Sequence, residues 1–180
     1  GAEAQDRVSG PRRNIELKAR HPSLARARAA ALELGATWRW SLTQRDTFFH
    51  CRDGRLKLRE SSSGDAELIW YRRADAASAR ASDYRLVPVA DAPALAEALA
   101  AALGVRGQVC KRRELLCWRG VRIHLDEVEG LGAFVEFEAV LGPELDEDAG
   151  RRRLAALSAA LELADEDRVA VAYVDLLGLA

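Results

Sequence analysis

The chain has 180 residues, of which 49% are hydrophobic and 31% charged, with 27 basic and 28 acidic side chains. This length allows one sizeable domain, and the composition is that of a soluble globular protein rather than a disordered one. The net charge of -1 gives no reason to expect a nucleic acid or an anionic membrane as a partner.

No apolar run approaches the roughly 20 residues that cross a bilayer. The polar N-terminal stretch has no signal-peptide core, so we expect residues 1–12 to be a flexible lead-in and residues 13–180 to form a single domain. Cys51, Cys110 and Cys117 have no CxxC spacing, which favours free thiols over a disulfide framework or a zinc site. Free thiols suit a reducing compartment, and we therefore expect a cytoplasmic protein.

The first half of the chain alternates between strands and a helix. The segment "RNIELKAR" (13–20) alternates polar and apolar residues, as a half-buried strand does. A helix is predicted over 23–34, because apolar residues recur at helical spacing and Gly35 follows. Four further strands are predicted, the first two joined by a tight turn: 42–51, 55–60, 66–73 and 82–89.

The second half begins with a helix, predicted over 91–104, since Asp91 can cap its first turn and Gly104 follows its end. A meander of three strands and an amphipathic helix come next: 107–120, 121–132, 133–141 and 145–164. The tail is expected to add a short strand near 169–174. Strands joined by short turns must be antiparallel, so the sequence indicates the α+β class, with about eight strands and three helices.

Most of the predicted strands have an aliphatic face and a face that carries charge. In the first strand, Glu16 and Lys18 alternate with Ile15 and Leu17. An open sheet with one solvated face explains any single strand. About eight such strands tend to curl and close, however, and the apolar stripes of the helices need the aliphatic faces as partners. We therefore predict a closed antiparallel β-barrel, with the helices packed outside and the charged faces lining its bore.

A bore of this kind suits a particular ligand chemistry. Lysine and arginine bind phosphate oxygens, whereas clustered carboxylates bind hard divalent cations such as Mg²⁺ or Mn²⁺. Both together indicate a site for a metal-bound nucleotide or polyphosphate. His124 is interpreted as a hydrogen-bonded strand residue rather than a ligand, and the four tryptophans as packing residues, although one near the mouth of the bore could stack on a purine.

Several segments carry a resemblance to a known family. "NIELK" (14–18) resembles the ExExK signature of the CYTH proteins, also called triphosphate tunnel metalloenzymes. The likeness continues in order through most of the chain, and "IHLDEVEGLGAFVEFE" (123–138) is its most specific block. Within the family, the chain looks closest to the class IV adenylate cyclase-like branch.

The resemblance implies a closed tunnel of about eight antiparallel strands that binds a small-molecule triphosphate and Mg²⁺ or Mn²⁺. It implies that the metal ligands are Glu16, Asp126, Glu136 and Glu138. It implies that the phosphates are held by Lys18, Lys57, Arg59, Arg73, Lys111 and Arg113. Glu16 and Lys18 are the catalytic candidates, with Glu16 placed to orient an attacking water.

Two reactions fit this implied site. The enzyme would hydrolyse a triphosphate such as ATP, tripolyphosphate or thiamine triphosphate, or it would cyclise ATP to cyclic AMP and pyrophosphate. One position departs from the family signature, because Asn14 replaces the first glutamate and offers a metal no charge. The alternative is therefore a non-catalytic module that binds polyphosphate or nucleotide, and a structural role comes third. A homodimer is a further expectation.

Overall fold

The computed structural model of the protein describes residues 12–178. Within them lie eight strands, four α-helices and a short 3₁₀ turn at Asp165–Asp167. The strands are β1 (Arg12–Arg20), β2 (Thr37–Phe49), β3 (Arg55–Ser61), β4 (Ala66–Arg73), β5 (Arg80–Pro88), β6 (Val105–Trp118), β7 (Val121–Val128) and β8 (Gly132–Val140). The helices are α1 (Leu24–Glu33), α2 (Ala92–Leu103), α3 (Glu147–Ala160) and α4 (Tyr173–Leu176).

The strands form one closed barrel in the order β1-β5-β4-β3-β2-β6-β7-β8, and every neighbouring pair is antiparallel. β1 closes the barrel, because Asn14 lies opposite Ser82 of β5 on one side and Val140 of β8 on the other. α1 and α3 pack against β7 and β8, and α2 packs against β2 and β3. These observations confirm the predicted α+β class and the predicted barrel with helices outside.

The main hydrophobic core lies between the barrel and α1 and α3. Ile15 and Phe137 point from the barrel into this layer, where they meet Leu154 and Leu157 of α3, and all four are at most 2% exposed. α3 approaches the sheet closely at Gly150, where a Cβ atom would lie 3.3 Å from Ala139. The aliphatic strand faces therefore point outward beneath the helices, which leaves the polar faces to line the bore.

The predicted helix starts are confirmed by capping hydrogen bonds. The side chains of Ser23, Asp91 and Asp146 each accept a bond from a backbone N–H in the first turn of α1, α2 and α3, respectively. β2 begins at Thr37, five residues before the predicted start, because it pairs with β6 along most of its length. No helix among residues 12–178 is long and apolar enough to cross a membrane.

The strand predicted near 169–174 is wrong. The chain makes a single bridge between Arg168 and Ala19 and then turns into α4, where Asp175 caps the backbone N–H of Ala172 at 3.0 Å. The edge available to the tail is short, because β8 occupies one side of β1 and β5 pairs with the other side only as far as Glu16. The tail uses this edge for the Arg168 bridge and for a 2.9 Å hydrogen bond from the Val169 N–H to the Lys18 carbonyl, and the chain then turns away into α4. The lead-in expected over 1–12 lies outside the described residues, except for Arg12, which begins β1.

Candidate active site

The bore of the barrel contains a cavity of about 770 Å³. All eight strands contribute side chains to its lining, because residues at alternate positions of each strand point inward. Nine of the ten residues predicted for the site line this cavity: Glu16, Lys18, Lys57, Arg59, Arg73, Lys111, Arg113, Glu136 and Glu138. The tenth, Asp126, is fully buried beside it. The structure therefore brings the predicted residues together in one enclosed space.

The C-terminal segment 168–177 lies across one end of the bore. The Tyr173 hydroxyl donates a 2.7 Å hydrogen bond to Asp126, and the ring of Tyr173 packs edge-on against Phe134. The Lys18 ammonium lies 4.1 Å from the centroid of the Tyr173 ring. Asp175 accepts hydrogen bonds from Arg55 of β3 and Arg106 of β6. Through Tyr173 and Asp175, the C-terminal segment thus contacts five strands at this end of the bore. No local sequence pattern predicts this role for Tyr173.

One group of lining residues, the basic cluster, consists of Lys57, Arg59 and Lys111 around a single carboxylate, Asp46. Arg59 donates two hydrogen bonds of 2.8 Å to Asp46, the Lys111 ammonium lies 2.8 Å from Asp46 Oδ2, and the Lys57 ammonium lies 3.5 Å from the same oxygen. Three cations, of which Lys111 is buried and Lys57 and Arg59 are half-buried, thus share the Asp46 carboxylate, and Glu67 lies opposite Arg59 in the β3–β4 register. This surplus of positive charge suits an anion.

The pKa values of the two lysines in this cluster are lowered, mainly by burial. Burial, opposed by Asp46 and assisted by neighbouring cations, lowers the pKa of Lys111 to about 7. Burial and Arg59 lower the pKa of Lys57 to about 8, although Asp46 opposes them. Burial disfavours the charge of Asp46 as well, but the surrounding cations hold the pKa of its carboxyl well below the usual range. The chain has three lysines among its 27 basic residues, and all three line the bore.

Asp126 is engaged by partners within the protein. Arg113 donates two parallel hydrogen bonds of 2.7 Å to its two oxygens, and the Tyr173 hydroxyl adds a third bond. Burial raises the pKa of Asp126, but Arg113 outweighs it and the net direction is downward. In this arrangement, Asp126 fixes the orientation of Arg113 against the lining.

Glu16 is shared by two arginines. Arg73 of β4 donates a hydrogen bond to Glu16 Oε1, and Arg80 of β5 places its Nε 4.0 Å from the same oxygen. Among the described residues, the Nε and Nη2 atoms of both arginines are buried without a hydrogen-bond partner. Buried guanidinium N–H groups that lack a partner can bind an anion oxygen. Arg80 was not predicted as a site residue, because it lies two residues before the predicted start of its strand.

A second group, the His–Glu–Glu cluster, consists of His124, Glu136 and Glu138. His124 lies opposite Glu136 in the β7–β8 register, and its Nδ1 is 3.3 Å from Glu136 Oε1 and 4.0 Å from Glu138 Oε1. One ligand atom from each residue can be chosen so that all lie within 4.8 Å of one another. Lys18 contacts Glu136 from the other side at 3.8 Å. These residues could hold a metal ion.

The electrostatics of this cluster fit a cation. Glu138 also lies opposite Glu16 in the β1–β8 register, so three carboxylates converge. Burial, followed by repulsion from Glu136 and Glu16, raises the pKa of Glu138 to about 8. Burial and Arg113 lower the pKa of His124 to about 3, so that its imidazole is neutral at pH 7. Crowded carboxylates beside a neutral imidazole are a donor set that divalent metals accept.

Asp46 and His124 were also missed as site residues, although the sequence contains a signal for both. Asp46 shares its strand face with Gln44 and Phe48, and His124 shares its strand face with Arg122 and Asp126. Their inward position follows from the period of two. What local sequence does not contain is the identity of their partners across the barrel.

Eight antiparallel strands closed around a buried lining of acids and bases define a tunnel-type β-barrel with a charged interior. The CYTH domain model matches residues 12–173, and the chain belongs to the CYTH family. This match confirms the family that the sequence motifs predicted.

Solved structures share the fold at low sequence identity. The PH1012 protein from Pyrococcus horikoshii OT3 superposes with a TM-score of 0.80 at 23% identity, covering 91% of this chain and 98% of its own. A candidate adenylate cyclase from Vibrio parahaemolyticus gives 0.73 at 20% identity, with 92% and 97% covered. HpAC1 from Hippeastrum, a candidate adenylyl cyclase with a dominant triphosphatase activity, gives 0.62 at 14% identity, with 84% and 88% covered. No curated protein matches the chain significantly.

Proposed function

We propose that the protein is a metal-dependent enzyme that processes a small-molecule triphosphate inside the barrel, by hydrolysis or by cyclisation of ATP. The observation that carries the proposal is the convergence of six carboxylates and nine cations on one cavity. Family membership and the activities named for HpAC1 and the Vibrio relative support it. A polar lining of this density costs stability unless ligands complete it.

Glu136 and Glu138, together with Glu16, would hold Mg²⁺ or Mn²⁺. A bound ion supplies Lewis-acid polarisation of a phosphoryl oxygen. Asn14 fits this role in part, because its side-chain Oδ1 is buried without a hydrogen-bond partner among the described residues and can serve as a neutral ligand. Asp126 has both oxygens occupied, so we assign it the positioning of Arg113 rather than metal binding.

The cations would bind the phosphates from several sides of the bore. The basic cluster provides phosphate-binding side chains from β3 and β6. Arg113 of β6 and Arg73 of β4 provide two more. A phosphate oxygen can replace Asp46 as the partner of Lys57 and Lys111, since one carboxylate cannot satisfy both ammonium groups and Arg59. Such contacts neutralise the charge that develops on the transferred phosphoryl group.

The catalytic roles fall to Glu16 and Lys18, which are buried near the His–Glu–Glu cluster. Glu16 would accept a hydrogen bond from the attacking water in hydrolysis. In cyclisation, the ribose 3′-hydroxyl would attack the α-phosphate instead, and pyrophosphate would leave. Burial lowers the pKa of Lys18 to about 7, which lets its ammonium give up a proton near neutral pH.

One feature favours an organic triphosphate such as ATP or thiamine triphosphate. The inner part of β2 contacts the C-terminal segment through Phe48, whereas Trp40 lies near the opposite end of the same strand. Trp40 and Leu42 both line the cavity there. An apolar and aromatic rim suits a base or a thiamine ring, and inorganic tripolyphosphate would leave it unused.

Incubation with tripolyphosphate, ATP or thiamine triphosphate plus Mg²⁺ or Mn²⁺ tests the proposal. Release of inorganic phosphate identifies a hydrolase, and cyclic AMP with pyrophosphate identifies a cyclase. Tight binding without turnover supports the alternative of a non-catalytic module. Glu136→Ala should abolish turnover while circular dichroism shows a retained fold, and Glu33→Ala on the exposed surface of α1 is the matched control. An active Glu136→Ala enzyme would remove this residue from the metal site.

Cytoplasmic location and a homodimer remain predictions. The free state of Cys51, Cys110 and Cys117 supports a reducing compartment. Size-exclusion chromatography with light scattering measures the oligomeric state.

A further inference from the structure

The His–Glu–Glu cluster offers a metal ion a nitrogen donor as well as carboxylate oxygens. Its two carboxylates offer oxygen, which Mg²⁺ accepts, whereas His124 offers nitrogen. Mg²⁺ is bound in proteins by carboxylates, substrate phosphates and water, while imidazole is a good ligand for first-row transition metals. The position of His124 therefore bears on the choice of metal.

The arrangement is compatible with a shared ion. Two ligand atoms that each lie about 2.1 Å from an ion are about 3.0 Å apart when adjacent in an octahedron and about 4.2 Å apart when opposite. The Nδ1 of His124 lies 3.3 Å from Glu136 and 4.0 Å from Glu138. Both separations lie within the range that two ligands of one ion span.

The strands hold these donors in place. His124 and Glu136 are directly opposite in the β7–β8 register, and Glu138 is the next inward residue of β8. All three side chains are at most 21% exposed. A site built on paired strands is more rigid than one built on loops, so its donor set discriminates between metals.

We propose that His124 is a nitrogen ligand of the metal, and that the site binds Mn²⁺, Co²⁺ or Zn²⁺ in preference to Mg²⁺. The inference rests on the metal site of the proposed function and specifies the class of ion that occupies it. The competing role for His124 is to hold Glu136 by a hydrogen bond without touching the ion. In that role, its loss would affect all divalent cations alike.

Metal binding to the full chain, without any triphosphate, separates the two roles. Mn²⁺ affinity is measured by electron paramagnetic resonance, Co²⁺ affinity by visible absorption, and Mg²⁺ affinity by competition with Mn²⁺. The wild type should bind Mn²⁺ at least tenfold more tightly than Mg²⁺. His124→Gln should weaken Mn²⁺ and Co²⁺ binding by about 10–100-fold but Mg²⁺ binding by less than about threefold. His50→Gln, at an exposed position after β2, is the control.

Pulsed paramagnetic resonance of the Mn²⁺ complex gives a second readout, because a directly bound imidazole produces ¹⁴N coupling. The coupling should be present in the wild type and absent in His124→Gln, with His124→Asn as a second variant in case the first fails to fold. Absence of coupling in the wild type, or equal weakening for Mg²⁺ and Mn²⁺, would overturn the inference. Triphosphate turnover with Mg²⁺ would in that case still support the proposed function. Conversely, a nitrogen-bound metal without turnover would support the role of His124 and contradict the proposed enzymatic function.

Discussion

The three lysines of the bore should titrate far below the ordinary pKa of 10.5, and binding of a triphosphate should reverse this shift. Burial is the main cause in each case, and it lowers the pKa to about 7 for Lys18 and Lys111 and to about 8 for Lys57. A polyanion favours the charged form of each ammonium. Binding of tripolyphosphate should therefore be accompanied by proton uptake.

The number of protons taken up on binding can be worked out for Lys111. At pH 8, a group with a pKa of about 7 carries about 0.1 proton, and it carries about one proton once its pKa rises above 9, so uptake is about 0.9 proton. Lys111→Arg keeps the cation but holds it charged throughout, so the variant should take up about 0.9 proton fewer than the wild type. The affinity of the variant should also depend less on pH above 7.

Two measurements check this reasoning. Calorimetry of tripolyphosphate binding at pH 8, in metal-free buffers of different ionisation enthalpy, gives the number of protons taken up. Because the chain contains only three lysines, selective isotope labelling of lysine gives three side-chain resonances, and Lys111→Arg assigns one of them. Midpoints near 10.5 in the free protein, or equal proton uptake by the variant and the wild type, would refute the account of the basic cluster.

Three further predictions concern the acidic and amide groups of the bore. Because the pKa of Glu138 is raised from 4.5 to about 8, the stability of the metal-free protein should fall as pH rises between these two values and level off above about 8. Metal-free Glu138→Gln should therefore melt at a higher temperature than the wild type at pH 9, with a smaller difference at pH 6. Equal melting temperatures at pH 9 would contradict this. Asp46→Asn removes the carboxylate that Lys57, Arg59 and Lys111 share and should cost about 3–5 kcal/mol in unfolding free energy, while tripolyphosphate should raise its melting temperature more than that of the wild type. An unchanged stability would show that the cations do not need Asp46. Asn14→Glu restores the first acid of the family signature and should raise Mn²⁺ affinity, measured by paramagnetic resonance; no change would mean that position 14 is not a ligand.

The prediction of the barrel from sequence succeeded because alternation with a period of two places every second side chain on the same face. Glu16 and Lys18 had to point one way, and Ile15 and Leu17 the other, whatever the neighbouring strands were. The apolar stripes of the helices needed the aliphatic faces. Burial of apolar surface therefore selected the charged faces as the lining, whereas the roles predicted for individual residues of that lining came from the resemblance to the CYTH signature.

The partner of each charged residue depended on the tertiary structure. Asp126 pairs with Arg113 because β6 and β7 align these residues, and it receives Tyr173 from a segment 47 residues further along the chain. His124 joins Glu136 because of the β7–β8 register. The tail makes one bridge to the short part of β1 that β5 leaves unpaired, and it then forms α4 across one end of the bore. Local sequence specified which way each side chain points, whereas strand register and closure, which involve residues far apart in the chain, decided which side chains meet.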